Sequence, residues 1–227
     1  MTLPIRAEFH IHTCHSHDSL VRIPDLLDTC AKKGINRIAI TDHNVISGAF
    51  EAATLDPEHV IIGEEIETTA GEILGYYMTE LVPGGMTPMK TIEALKKQGA
   101  LISVAHPFDD HRLAFWRSDT FAEVLQQVDA LEVFNARCIN SIFNQKALDC
   151  AEEHGLLKTV GSDAHSLYEL GQANLLLAEF DDADTLRIAL RSGEFIGKLS
   201  GSWVHLISRY SNAVKALNHS KTSIDKN

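Results

Sequence analysis

The sequence predicts an α/β fold in which parallel strands and helices alternate to form a barrel. Three observations lead there. Short apolar runs alternate with amphipathic segments along most of the chain, the pattern of strands joined by crossover helices. Seven or eight such strands fall within about 195 residues, which suits one barrel better than two sheets. The unusual polar clusters all fall at the C-terminal ends of the strands, and in a parallel barrel those ends meet on one face.

The elements follow in order. "AEFHIH" (7–12) has the residues of a strand. "IPDLLDTCAKK" (23–33) has helical spacing, and Gly34 stops it. "INRIAITDH" (35–43), "HVIIGEEIET" (59–68) and "EILGYYM" (72–78) are strands rich in β-branched or aromatic residues. A helix is expected near 88–98, with Gly99 as its stop, and then the strand "ALISVAHP" (100–107). A helix near 119–127, the strand "DALEVFNAR" (129–137), a helix near 141–154 and the strand "LKTVGSDAH" (157–165) continue the alternation. "NLLLAEF" (174–180) and a helix near 182–192 close it, with "GSWVHLIS" packed on the barrel as a last strand or helix. One domain over residues 1–207 is expected, with a polar, frayed tail over 208–227.

Bulk properties narrow the function. The chain has 227 residues and a net charge of -11 with neutral histidines. That balance argues against a dedicated binder of nucleic acid or of anionic membranes, since both need basic patches. No apolar run approaches the roughly 20 residues of a membrane span. Cys14, Cys30, Cys138 and Cys150 form no C-x-x-C pair, and no secretory leader precedes the first strand. A reducing, cytoplasmic setting is expected.

The polar clusters carry the chemistry. His10 and His12 stand two apart on a strand, so both side chains point to one face. Asp163 and His165 repeat that spacing, and Gly161 before them predicts a close backbone approach. Asp42 and His43 end one strand and Glu65 another. His106 ends a third, where Pro107 should hold it extended. Singly, each has a bland alternative as a capped or hydrogen-bonded residue. Together, imidazoles and carboxylates converging on one pocket suit Zn, Mn or Fe ions. The donors exceed the needs of one ion, so two or three divalent metal ions are implied, a number that suits metal-assisted hydrolysis.

"FHIHTCHSHDS", "IAITDHN", "IGEEIE", "LISVAHP" and "VGSDAH", in this order over residues 8–165, resemble the polymerase and histidinol phosphatase (PHP) family of metal-dependent phosphoesterases. The resemblance implies a distorted (β/α)7-type barrel with the metal site at the C-terminal ends of the strands. By it, His10, His12, Glu65 and Asp163 would hold one ion. Asp18, His43 and His165 would hold a second, and Glu65 would bridge to a third at His106. Many members carry a histidine directly before "LGY". Here Ile73 takes that position, and Glu72 before it is either a carboxylate replacement for the third-ion ligand or a surface strand residue. Asp42 would orient a neighbouring ligand. His15 and His17 match no ligand position and are expected as loop residues.

The function implied is hydrolysis of a small phosphorylated metabolite or nucleotide by attack of a metal-bound hydroxide on phosphorus, with Asp163, His165 and His43 as the catalytic residues. Arg112, Arg137 and Asn135 lie just past strand ends and are candidates for binding the phosphate. His111 and Ser141 are weaker candidates. Phe115 and Trp116 either cover the site or pack locally. Without an attached polymerase, the chain resembles stand-alone phosphatases. The alternatives are a 3′-5′ exonuclease or oligonucleotide phosphodiesterase, a metal-dependent amidohydrolase, and a non-catalytic domain. The last would need a degraded ligand set.

Overall fold

Parallel strands dominate the sheet, but two reversals shape the site. The structure is a computed structural model that describes residues 4–112, 116 and 118–224. In chain order its elements are β1 (Ile5–Ile11), α1 (Ile23–Lys33), β2 (Arg37–Ile40), α2 (Ser47–Leu55), β3 (Val60–Glu67) and β4 (Glu72–Tyr76). Then come α3 (Pro88–Lys97), β5 (Leu101–Val104), α4 (Ser118–Leu125), β6 (Ala130–Asn135), α5 (Ser141–His154) and β7 (Leu157–Gly161). The chain continues through β8 (Ala173–Leu177), α6 (Ala183–Ala189), β9 (Glu194–Gly197) and α7 (Val204–Ile224). The strands form one sheet in the order β7-β6-β5-β4-β3-β2-β1-β8-β9. A parallel bridge between Ile11 and Ala164 brings β1 against the end of β7 and nearly closes the barrel.

All-parallel pairing does not hold throughout. β4 runs antiparallel to both β3 and β5, and β8 is antiparallel to β1. The cause is a short turn: only Thr68–Gly71 separates β3 from β4, too few residues for a crossover. Thr68 N–H donates to Gly71 O at 2.8 Å, and Gly71 has φ +153, where a Cβ would stand 2.3 Å from the Trp116 ring. The reversal places the first residue of β4, Glu72, level with the last residue of β3, Glu67. Glu72 therefore reaches the face formed by the C-terminal ends of the other strands.

β1 carries an extra residue between Glu8 and Ile11 relative to β2. Such a bulge re-aims side chains. Before it, Glu8 lies outside the barrel, where it accepts from Ser162 Oγ and from Gly171 N–H at 2.7 Å. Past it, His10 points inward with Phe9, whose ring meets Tyr76 edge-on at 5.5 Å in the core. Gly161 on β7 fulfils the expected close approach: a Cβ there would lie 2.2 Å from His10 Cβ.

Helix ends follow local chemistry. α1 begins with Pro24 in its first turn and ends at Gly34 in the left-handed region, φ 66. Asp182 caps α6 by accepting from Thr185 N–H at 2.8 Å. Two further elements, α2 and β9, had no clear signature in the sequence. Both are short, and α2 is rich in small residues. The segment from Ser208 also differs from the frayed tail expected for it. It continues α7 as a helix to Ile224, and Ser211 is buried. The run 204–224 has no proline or glycine to break a helix. No described helix is long and apolar enough to cross a membrane. The four cysteines are free thiols.

Alternation along β3 sends Glu64 away from the site that Glu65 faces. Glu64 is fully buried and accepts one hydrogen bond, from Val82 N–H at 3.0 Å. Burial pushes its carboxyl up to about 8. Its pKa is thus higher folded than unfolded, so its stabilising contribution is complete below pH ~4.5 and is lost as pH rises through about 8. Glu64→Gln should melt with the wild type near pH 4.5 and above it at pH 9. At this chain length 1 kcal/mol corresponds to about 2–4 °C. Thermal melts in chelator across that range check this, and a constant gap would refute it.

Candidate metal centre

Six strand ends deliver the donors. His10 comes from β1, with His12 just past its end; His43 follows β2; Glu65 on β3 and Glu72 at the start of β4 lie within reach of the same His43 ring; His106 follows β5; Asp163 and His165 follow β7. Asp18 comes from the loop after β1. Four sets of these side chains have ligand atoms within 4.8 Å of one another: His12, Asp18, His43 and His165; His10, His12 and Asp163; His10, Glu65 and His106; and His43, Glu65 and Glu72. Glu65 stands in the middle. Its Oε2 lies 3.0 Å from His10 Nε2, 3.3 Å from His12 Nε2 and 3.2 Å from His43 Nδ1, while its Oε1 lies 3.0 Å from His106 Nε2.

The donor atoms fit cations. His10 Nε2, His12 Nε2, His43 Nδ1, Glu65 Oε2, Glu72 Oε2 and Asp163 Oδ1 are buried without a hydrogen-bond partner among the described residues. Leaving so many polar atoms unpaired is costly. Atoms about 2.1 Å from a shared ion lie about 3.0–3.4 Å from one another in octahedral or tetrahedral geometry. The 3.0–3.3 Å spacings around Glu65 match that range.

Charge makes the same demand. Asp18, Glu65, Glu72 and Asp163 bring four carboxylates into one buried space. Without cations the histidines must supply the balance. Burial alone would lower His43, but Glu65 and Asp18 outweigh it and push the imidazole up to about 10. His10 is raised against its burial in the same way, by Glu65, Glu132 and Asp163. Burial opposes ionisation of Asp163, yet Arg112 and His10 hold its carboxyl well below the usual range. His165 goes the other way. Burial, His12 and Arg137 lower it to about 3, which leaves a neutral imidazole suited to ligation.

The supporting residues are partly new. Glu132 on β6 lies 2.8 Å from His10 Nδ1 and accepts from His106 N–H at 2.8 Å, so it orients two of the donors. Its mark in the sequence is faint. The available signal was a lone charge inside the apolar run "ALEVF". Glu169 is no better marked; it accepts from His165 N–H at 3.2 Å and pairs with Arg137. Asp42 holds the turn after β1 by accepting from Thr13 Oγ1 at 2.7 Å. His106 has φ 26, not the extended backbone that Pro107 favours. Its backbone bond to Glu132 and its ring contact with Glu65 fix it in that strained conformation. Glu132→Gln should weaken metal affinity by about 10–100-fold, measured by Mn²⁺ titration, and an unchanged affinity would exclude the orienting role.

A cavity of about 560 Å³ opens onto this centre, lined in part by Asp18, His43, Arg112, Arg137, His205 and Arg209. Arg112 pairs with Asp163 and lies 3.3 Å from Asp109. Arg137 is buried; Nη2 donates to Val204 O and Ser208 Oγ, each at 2.8 Å, and Nη1 lies 2.7 Å from His165 Nδ1. Asn135 Nδ2 donates to Glu132 at 3.0 Å and Asp163 at 3.2 Å, so its amide is directed at the carboxylates. His111 lines the cavity, while Ser141 opens α5. His15 bonds outward to Ser47 and Glu51. The exposed His17 ring lies 5.1 Å from that of His43, at the rim. Trp116 packs on Phe121 in the core. Phe115 lies outside the described residues.

Known proteins share the sequence pattern and the fold of this chain. The family model for the PHP domain matches residues 8–162, and the PHP-associated model matches residues 141–195. An uncharacterised protein of Methanocaldococcus jannaschii is 36% identical over 180 residues, 78% of this chain and 72% of that protein. The chain superimposes with a TM-score of 0.70 and 20% identity on a two-domain protein from Bacteroides vulgatus containing a predicted PHP-like metal-dependent phosphoesterase. The match covers 86% of this chain and 65% of that one. An amidohydrolase from Chromobacterium violaceum, solved with bound sulfate, gives a TM-score of 0.57 at 16% identity over 70% of this chain and 87% of its own. With its model matched over residues 8–162, the chain belongs to the PHP domain family.

Proposed function

We propose that the protein is a multinuclear metal-dependent phosphoesterase acting on a small phosphorylated metabolite or nucleotide. The observation that carries this reading is the cavity: it joins the convergent donor atoms to a rim that includes Arg112, Arg137, Arg209, His111 and His205. Its volume suits a small molecule. The cationic rim suits an anionic substrate despite the chain's acidic balance.

Two or three ions of Zn, Mn or Fe fit the donor sets, held by His10, His12, Glu65 and Asp163; by Asp18, His43 and His165; and by Glu65, Glu72 and His106. When bound, they lower the pKa of water and neutralise charge developing on phosphorus. The protein side chains do the rest. Glu132 and Asn135 fix the rings and carboxylates in place. Arg112, beside Asp163, is the phosphate-facing guanidinium, and Arg209 offers a second at the rim. Arg137, expected to bind phosphate, spends its donors on Glu169, Val204 and Ser208, and its role is to position His165. Asp163, His165 and His43 remain the residues assigned to catalysis, at the junction of cavity and donor cluster. The free thiols support a reducing, cytoplasmic setting.

The Chromobacterium amidohydrolase gives a second reading a specific footing, since activated water also cleaves amides. A phosphate-release screen over sugar, nucleotide and amino-alcohol phosphates with Mn²⁺, run beside carboxamides, separates the two. Phosphate release is the expected result. Carboxamide cleavage without phosphate release would overturn it. Salt-sensitive degradation of single-stranded oligonucleotides would favour the exonuclease alternative.

A further inference from the structure

The matched family segments end at residue 195, and α7 lies beyond them. Even so, α7 is tied to the donor cluster at two places. Near its start, Val204 O and Ser208 Oγ accept from Arg137 Nη2, each at 2.8 Å, and His205 Nε2 lies 3.1 Å from Arg137 O. Arg137 Nη1 lies 2.7 Å from His165 Nδ1, and Arg137 Nε pairs with Glu169, which holds His165 N–H. Farther along, the half-buried Lys215 ammonium donates to Cys14 O at 2.7 Å and to Ser16 O. Ser16 Oγ in turn donates to Asp18 Oδ1 at 2.7 Å.

Asp18 and His165 belong to the same donor set, with Asp18 Oδ2 2.7 Å from His165 Nε2 and 3.5 Å from His43 Nε2. They come from loops 147 residues apart in sequence. The loop bearing Asp18 is also anchored at Thr13 by Asp42 and at His15 by Ser47 and Glu51, while Lys215 holds the two carbonyls that flank His15, shortly before Asp18. A continuous helix separates its two grips by a fixed distance, about 10 Å from Ser208 to Lys215 at 1.5 Å per residue. We infer that α7 is a clasp that assembles the Asp18–His43–His165 ion site, with Lys215 as its positioning residue on the Asp18 side. Among the described residues the set built on His10, His12, Glu65 and Asp163 has no such tie: its supporting partners, Glu132, Asn135 and Arg112, lie outside α7. Occupancy of one ion site therefore depends on α7 while that of the other does not.

This inference rests on the metal reading of the cluster but not on the substrate. The experiment is a Mn²⁺ titration of the full chain, followed by calorimetry and by electron paramagnetic resonance of free Mn²⁺. Lys215→Met keeps the aliphatic stem and removes the donors. It should weaken one class of sites by about 10-fold or more, the scale of losing a supporting partner, and leave the other class unchanged. Lys215→Arg, which restores donors to both carbonyls, should recover the affinity. Ser16→Ala should produce the same selective loss, and Ser16→Ala with Lys215→Met should lose little more than either alone, because both act on one linkage. A Lys215→Met curve superimposable on wild type would overturn the inference. So would equal weakening of both classes, the mark of a merely loosened fold, or wild-type protein that binds fewer than two ions. Selective weakening in a protein that binds ions but releases no phosphate from any ester would uphold the clasp and discard the phosphoesterase reading.

Discussion

Glu65→Gln is expected to abolish turnover and remove the capacity to bind more than one ion with useful affinity. Glu65 is fully buried, and its two oxygens lie 3.0–3.3 Å from nitrogens of four histidines. An amide keeps one oxygen acceptor, offers N–H donors where an ion would sit, and removes a charge that balances neighbouring cations. The readout is the rise in melting temperature on adding Mn²⁺. At a free concentration of 100 Kd one bound ion adds about 2.7 kcal/mol of stability, or about 5–11 °C at 2–4 °C per kcal/mol. Wild type should gain at least that, and Glu65→Gln less than half as much. Equal gains would remove Glu65 from the ligand set.

The second large effect belongs to Asp163. It is buried, has φ 54, and meets His12 at 3.3 Å while pairing with Arg112. Asp163→Ala removes a candidate ligand and leaves Asp109 as the remaining ion-pair partner of Arg112 among the described residues. Loss of turnover should exceed the 10–100-fold that is typical when a merely supporting partner is removed, with the helix content unchanged by circular dichroism. Metal content measured after gel filtration should fall by one ion per chain. Turnover at the wild-type level would sink the assignment. A collapsed circular dichroism spectrum is not expected, because the barrel core is formed by apolar side chains of other strands.

Most of the site was written locally. His10 and His12 fall on one face because strand side chains alternate with a period of two. Gly161 announced a close approach, which His10 fills. The polar residues at strand ends converge because a barrel gathers those ends. Glu72 became a member of the cluster only through the reversal of β4. Its place in the sequence was visible, but its direction was not.

Local patterns therefore determined the strands, most of the helices and the residue types that line the centre. Periodicity and chain punctuation act over a few residues and need no partner to be recognised. Tertiary structure decided the rest: the antiparallel β4, the orienting role of Glu132, the commitment of Arg137 to α7, and the anchoring of α7 through Ser208 and Lys215. Those contacts join residues far apart in the chain, such as His10 with Glu132 across 122 positions and Lys215 with Cys14 across 201. A buried charge is stable only beside its partner, and a polar helix is retained where its few anchoring groups find receptors. Neither condition leaves a periodic mark in the sequence, because both depend on which surfaces the closed barrel brings together.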